Sequence, residues 1–115
     1  MVKVTVLYGK PVDPEAFEKY YAETHMPIVR RAGLGRTEAA KVVGTTDGSE
    51  PQFYRTFDIW MDDMEQLKLA MGTPEVTEMR EDLKHFATGG VSILVSVVES
   101  EAMPTEKVIA VGAGT

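Results

Sequence analysis

The stretch Tyr20-Tyr21-Ala22-Glu23-Thr24-His25-Met26-Pro27 holds the residue types best suited to chemistry in this chain. His25 is one of two histidines; the other is His85. A helix C-terminus favours the imidazolium, whereas burial favours the neutral ring. A histidine held between these tendencies titrates near neutral pH and can serve as acid or base. His25 borders an apolar stripe at a predicted helix end. His85 falls on the polar face of its helix and reads as a solvated surface residue. Tyr8, at the end of the first predicted strand, and Tyr21, one turn before His25, are candidates to face the same helix–sheet cleft. There a phenol can donate a hydrogen bond to a substrate carbonyl or enolate. Each candidate also has a structural role open to it. His25 can bond carbonyls at its own helix end, and Tyr8, Tyr20 and Tyr21 can pack the core with their hydroxyls satisfied at its edge.

The elements that must position these residues follow from periodicity. Val2, Val4, Val6 and Tyr8 alternate with Lys3, Thr5 and Leu7, a strand pattern. Asp13-Pro14 is a helix start, a cap followed by a proline that needs no N–H. The predicted helix runs from 14 to 25 with Phe17, Tyr20, Tyr21, Thr24 and Ile28 on one stripe, and Pro27 is expected to end it. Residues 36–45 form a weaker strand candidate. Residues 53–61 read as a strand with Phe53, Arg55, Phe57, Ile59 and Met61 on one face and Tyr54, Thr56, Asp58 and Trp60 on the other. Asp62 or Asp63 caps a short helix through Met71. Thr73-Pro74-Glu75 starts another, with Val76, Met79, Leu83, Phe86 and Ala87 as its apolar stripe. Residues 91–98 form the last clear strand.

The order strand, helix, two strands, helix, strand is the split β-α-β, ferredoxin-like α+β arrangement, with helices on one face of an antiparallel sheet. The other face lacks an intrachain cover, so a homodimer is expected, with Trp60 as an interface anchor if its face forms the seam. Arg55 is a candidate ion-pair partner for Asp82 or a binder of a carboxylate. Residues 1–100 are read as one domain. Residues 101–115 are read as an extension in which 107–111 can add a short strand.

Composition bounds the functions. With 115 residues there is room for one core and a modest pocket. A net charge of −6 argues against nucleic-acid binding. The absence of cysteine excludes disulfides and thiolate ligands, and two histidines on different elements make a poor metal site, so no metal is expected. There is no glycine-rich phosphate loop and no nicotinamide or flavin motif, so no cofactor is expected. No apolar run approaches membrane-spanning length, and the alternating N-terminus does not read as a signal peptide, so a cytoplasmic location is expected.

Several pieces in order carry a resemblance: Val6-Leu7-Tyr8-Gly9; Pro11 with Asp13-Pro14 and Phe17; Tyr20-Tyr21 through His25-Met26-Pro27; Pro74-Glu75; then Asp82-Leu83, Phe86 and Ala87-Thr88-Gly89-Gly90. Over roughly residues 1–100 the chain resembles the EthD family of the dimeric α+β barrel superfamily. The resemblance implies two sheets facing each other across a homodimer, helices outside, and a cleft near Tyr8, Tyr21 and His25. It also implies a link to oxidoreductase-dependent degradation pathways. The leading expectation is a cofactor-independent isomerase or cyclase acting on a small hydrophobic oxygenated molecule. His25 would move the proton, Tyr8 or Tyr21 would steady the oxyanion, and Phe17, Pro27 and Phe86 would contact the ligand. The alternatives are a non-catalytic binding or shuttle protein for a partner oxygenase, and a haem-handling monooxygenase with His25 as axial ligand.

Overall fold

Strand β1 (Val2–Tyr8) sets the pattern for the whole sheet: its even-numbered residues are buried and its odd-numbered ones half-buried. In this computed structural model, which describes residues 1–99, β1 is flanked on both sides by antiparallel partners. These are β3 (Arg55–Met61) and β4 (Val91–Val97), and β2 (Thr37–Lys41) adds outside β3. The sheet order is β2-β3-β1-β4, the ferredoxin-like arrangement expected from the order of elements. The suggested strand at 107–111 and the extension at 101–115 lie outside the described residues.

Register decides which face the helices cover. Val4 lies opposite Ile59 and Val95, and Val6 opposite Phe57 and Ile93, so these residues share one face. On β1 and β3 that face is buried. On β4 the same face is left open by the described residues, with Ile93 45% and Val97 68% exposed, because none of the described helices reaches over this edge strand. The opposite face carries Thr5, whose hydroxyl donates to Asp58 at 2.7 Å, and Trp60, with the Arg36 guanidinium 4.2 Å from its ring centroid. Tyr54 does not share that face, contrary to expectation. The strand begins only at Arg55, so the alternation does not extend back, and the Tyr54 ring meets Phe17 on the helix side at 5.3 Å.

The helical layer differs from expectation in one place that matters. Helix α1 (Pro14–Tyr20) starts as predicted, with the Asp13 carboxylate accepting from the Ala16 N–H. It does not end before Pro27. The chain makes one wide π turn at Tyr21–His25 and continues as α2 (Met26–Ala32), which Gly33 closes in the left-handed conformation. Proline within an α-helix lacks a donor, and its ring crowds the carbonyl four residues back. The π turn, closed by the Met26 N–H on the Tyr21 carbonyl, widens the helix just where that crowding would fall. It also changes which residues share the buried face. Thr24 is exposed, and His25 sits in the middle of the buried face rather than at its edge.

Helices α3 (Met64–Met71) and α4 (Pro74–Asp82) are capped by Asp63 and Thr73. A single 3-10 turn (Leu83–His85) then leads to Phe86. Among the described residues, no helix is long and apolar enough to cross a membrane.

Candidate functional site

His25 is only 3% exposed and is held from below by α4. Its Nδ1 lies 2.9 Å from Oδ2 of Asp82, itself buried. The other oxygen, Oδ1, accepts from the Tyr20 hydroxyl at 2.6 Å. A carboxylate only accepts, so Nδ1 carries the ring proton and Nε2 keeps its lone pair. Burial pulls the His25 pKa below its ordinary value; the Asp82 hydrogen bond and charge work the other way and do not win. The ring is therefore a neutral base oriented by a carboxylate. The hydrogen bond that Tyr20 itself donates to Asp82 pushes its phenol up to about 12, so Tyr20 serves as a fixed donor.

Phe86 packs 4.5 Å from the His25 ring, centroid to centroid, and links it to Tyr8, Phe17, Tyr20 and Tyr21. This aromatic block packs the ring in place alongside its bond to Asp82. Tyr8 is fully buried, and burial raises its pKa above the ordinary phenol value, so it remains a donor.

Between the sheet and the helices lies a cavity of about 70 Å³. Val4, Val6 and Tyr8 of β1 and Phe57 and Ile59 of β3 form one wall. Leu67, Val76 and Leu83 face them, buried His25 is part of the lining, and Met61, Met71 and Met79 contribute flexible thioethers. Met71, Arg80 and Ile93 are the exposed lining residues and mark the rim. Cavities that hold a benzene ring are about twice this size, so the space takes the reacting end of a ligand unless the methionines give way. Among the described residues no cluster of histidine and acidic side chains is suited to hold a metal ion.

The sequence candidates divide accordingly. His25 and Tyr8 line the cavity together. Tyr21, Phe17 and Phe86 stand behind them in the aromatic block and do not line it, although Phe17 and Phe86 line a separate, more open pocket of about 300 Å³ with Tyr20 and His85. Pro27 is half-buried in α2 and lines neither. Arg55 does not pair with Asp82. It makes a two-pronged contact to Glu18, Nη2–Oε1 2.8 Å and Nε–Oε2 3.4 Å, because β3 brings it beneath α1 rather than α4. Burial pushes the Glu18 carboxyl up, but hydrogen bonds from Arg55 and Tyr54 outweigh it and hold the pKa below the usual value. Sequence reasoning missed Asp82 as the partner of His25. A signal was present, since Asp82 stands three residues after Met79 and four before Phe86 on an otherwise apolar stripe.

Among the described residues the buried Tyr21 hydroxyl has no partner at hydrogen-bond geometry, while the Arg55 guanidinium lies 4.6 Å from its ring centroid and acts on the phenol from there. An unsatisfied buried hydroxyl costs stability. Tyr21→Phe is therefore expected to unfold at an equal or higher urea concentration, by up to about 2 kcal/mol. A clear loss of stability would show that the hydroxyl has a partner after all.

The lowered His25 pKa fixes a sign for the pH dependence. The folded state prefers the neutral ring more strongly than the unfolded state does. The contribution is full above the ordinary value of 6.5 and is lost as pH falls through the lower folded value. Urea stability is expected to decline from about pH 7 to about pH 5, above the range where carboxylates protonate, and His25→Gln should flatten that slope. An unchanged slope in the variant would remove His25 as its cause.

The family model of the EthD domain matches residues 9–90. An uncharacterised 11.0 kDa protein from Rhodococcus erythropolis, from the thcB-thcC intergenic region, is 30% identical over 100 residues, covering 87% of this chain and 97% of its own. The solved structure of an EthD family protein from Bacillus halodurans is 33% identical with a TM-score of 0.78, covering 85% of this chain and 98% of that one. An EthD-like protein from Ralstonia eutropha is 24% identical, with a TM-score of 0.62 over 86% of this chain and 94% of that one, and shows the fold alone.

Proposed function

The chain belongs to the EthD family, and from that footing we propose that it catalyses proton transfer on a small hydrophobic oxygenated molecule, with His25 as acid and base. The observation that carries this reading is a buried histidine held by Asp82 in the lining of an apolar cavity. The Nε2 lone pair takes a proton from a carbon beside a carbonyl. The C–H electron pair becomes the enolate, whose oxygen accepts a hydrogen bond from a cavity-lining phenol, Tyr8. The Nε2–H then returns the proton to another position of the same ligand, so the step is an isomerisation or ring closure with no net redox change. Any oxidation in the same degradation sequence belongs to a separate oxidoreductase.

The working unit in this reading is a homodimer. Two features support it: the open apolar side of β4, and an uncovered sheet face carrying Leu7, Trp60 and Leu94 among polar residues.

The test is solvent exchange. Short ketones and lactones incubated in heavy water with the protein are followed by NMR for loss of the proton beside the carbonyl. Wild type is expected to accelerate exchange for at least one of them, and His25→Gln to abolish the acceleration. A compound that binds at the cavity without faster exchange would replace this reading by that of a non-catalytic binding protein.

A further inference from the structure

The cavity wall holds one charged side chain among the described residues, Arg80 of α4. It stands at the rim and is exposed, whereas His25 is buried. Neighbouring acids are engaged elsewhere: Glu78 faces Arg31 at 3.5 Å, and Glu81 is bonded to Lys84. Among the described residues no carboxylate lies within ion-pair distance of Arg80. A guanidinium that makes no ion-pair contact among the described residues, and acts on neighbouring Glu81 only through its charge, offers beside an apolar wall a planar fork that matches a carboxylate. The chain as a whole carries a net charge of −6 and repels anions, which makes a single free cation at the cavity mouth a means of selecting one.

We infer that the ligand is a short carboxylic acid whose carboxylate sits on Arg80 at the rim and whose reactive oxygen function lies further along the molecule, toward His25. The inference rests on the reading of the cavity as the ligand site and adds the substrate class, an oxo acid rather than a neutral ketone or lactone. Arg80 is then a specificity-determining residue. It anchors the charged end, orients the chain inward past Met71 and Met79, and places the carbon to be deprotonated beside His25. Neutral analogues would enter the cavity without a preferred direction.

Two probes with the same 4-oxopentanoyl skeleton separate the possibilities: 4-oxopentanoate and its uncharged methyl ester, longer by one methyl group. Binding is followed by the methionine methyl signals of Met61, Met71 and Met79, which line the cavity, against exposed Met64 as control. At low ionic strength the acid is expected to bind about tenfold or more tightly than the ester, and Arg80→Gln to bring the two together, with Arg80→Lys keeping part of the difference. Equal binding of acid and ester by wild type, or an Arg80→Gln variant that still prefers the acid, would overturn the assignment while leaving the cavity as the ligand site. Failure of both probes to move the three lining methyls would overturn the assignment together with the cavity reading on which it rests.

Discussion

Asp82→Asn is expected to leave the protein folded and to slow proton exchange by about a hundredfold or more, through the tautomer of a ring that the side chain does not itself offer to the ligand. In the native site both oxygens of Asp82 accept, one from His25 Nδ1 and one from the Tyr20 hydroxyl. An asparagine has one acceptor and one donor end. Tyr20 and His25 would compete for the single oxygen. When Tyr20 wins, the amide N–H₂ faces Nδ1 and forces the ring proton onto Nε2, the nitrogen assigned as base. When His25 wins, the Tyr20 hydroxyl must turn to accept. The base is then correctly protonated for only part of the time. It also lacks the negative charge that would stabilise the imidazolium formed during the reaction. The tautomer is read directly by long-range ¹H–¹⁵N correlation of the His25 ring, with Nδ1–H predominating in wild type and Nε2–H appearing in the variant. Asp82 acts by positioning, so the two readouts must move together. Exchange within about threefold of wild type, with an altered tautomer, would show that the reaction does not pass through Nε2. Tyr20→Phe is the milder companion, since it removes one donor from Asp82 and leaves the His25 bond intact.

What could be read from residues alone was the frame around this pair. Alternation in β1 separated Val2, Val4, Val6 and Tyr8 from Lys3, Thr5 and Leu7, because a strand offers only two faces; which of the two the helices cover came only with the structure. Asp13-Pro14 and Thr73-Pro74 named the helix starts, because capping is a local hydrogen bond. The π turn was hidden. A proline after His25 signals a helix stop, and only the packing of Ile28 and Val29 into the core decides that a widened turn costs less than ending the helix. With the turn unseen, His25 was placed at the stripe's edge and Thr24 on it, the reverse of the outcome. Long-range pairings were likewise out of reach. Arg55 could answer any buried acid, and whether that acid is Glu18 or Asp82 depends on which helix lies above the end of β3. Arg80 carried no sequence signal, since its position at the rim follows from how α4 lies against the sheet.

Gly89→Ala is expected to be the most destabilising glycine-to-alanine change among the described residues, and to act on the site from a position well outside it. The paired segments Tyr8-Gly9 and Gly89-Gly90, far apart in sequence, cross in the fold with their backbones in contact: the Gly9 N–H donates to the Gly90 carbonyl at 2.9 Å. A Cβ at Gly89 would stand 2.1 Å from the Lys10 carbonyl oxygen and 2.7 Å from the Gly9 carbonyl carbon. A Cβ at Gly9 would stand 2.2 Å from the Gly89 oxygen. These neighbours are backbone, so no rotamer change relieves the overlap, and the end of β1 must part from the segment that follows Phe86. The cost is about 3 kcal/mol or more, a large share of the 5–15 kcal/mol that holds a domain together. For a domain of this size it corresponds to a fall in Tm of roughly 12–24 °C. Gly44→Ala is the control. A Cβ there meets nothing within 4 Å, and the position is exposed, so a change within about 0.5 kcal/mol is expected. The crossing fixes Tyr8 on one strand of the contact and Phe86 three residues before the other, and these two rings bracket the wall that holds His25. Gly89→Ala should therefore also disturb the His25 ring signals at temperatures where the variant is still folded. A Gly89→Ala protein that melts within about 2 °C of wild type would mean that the two backbones do not approach as closely as the fold requires, and the placement of Phe86 against His25 would fall with them.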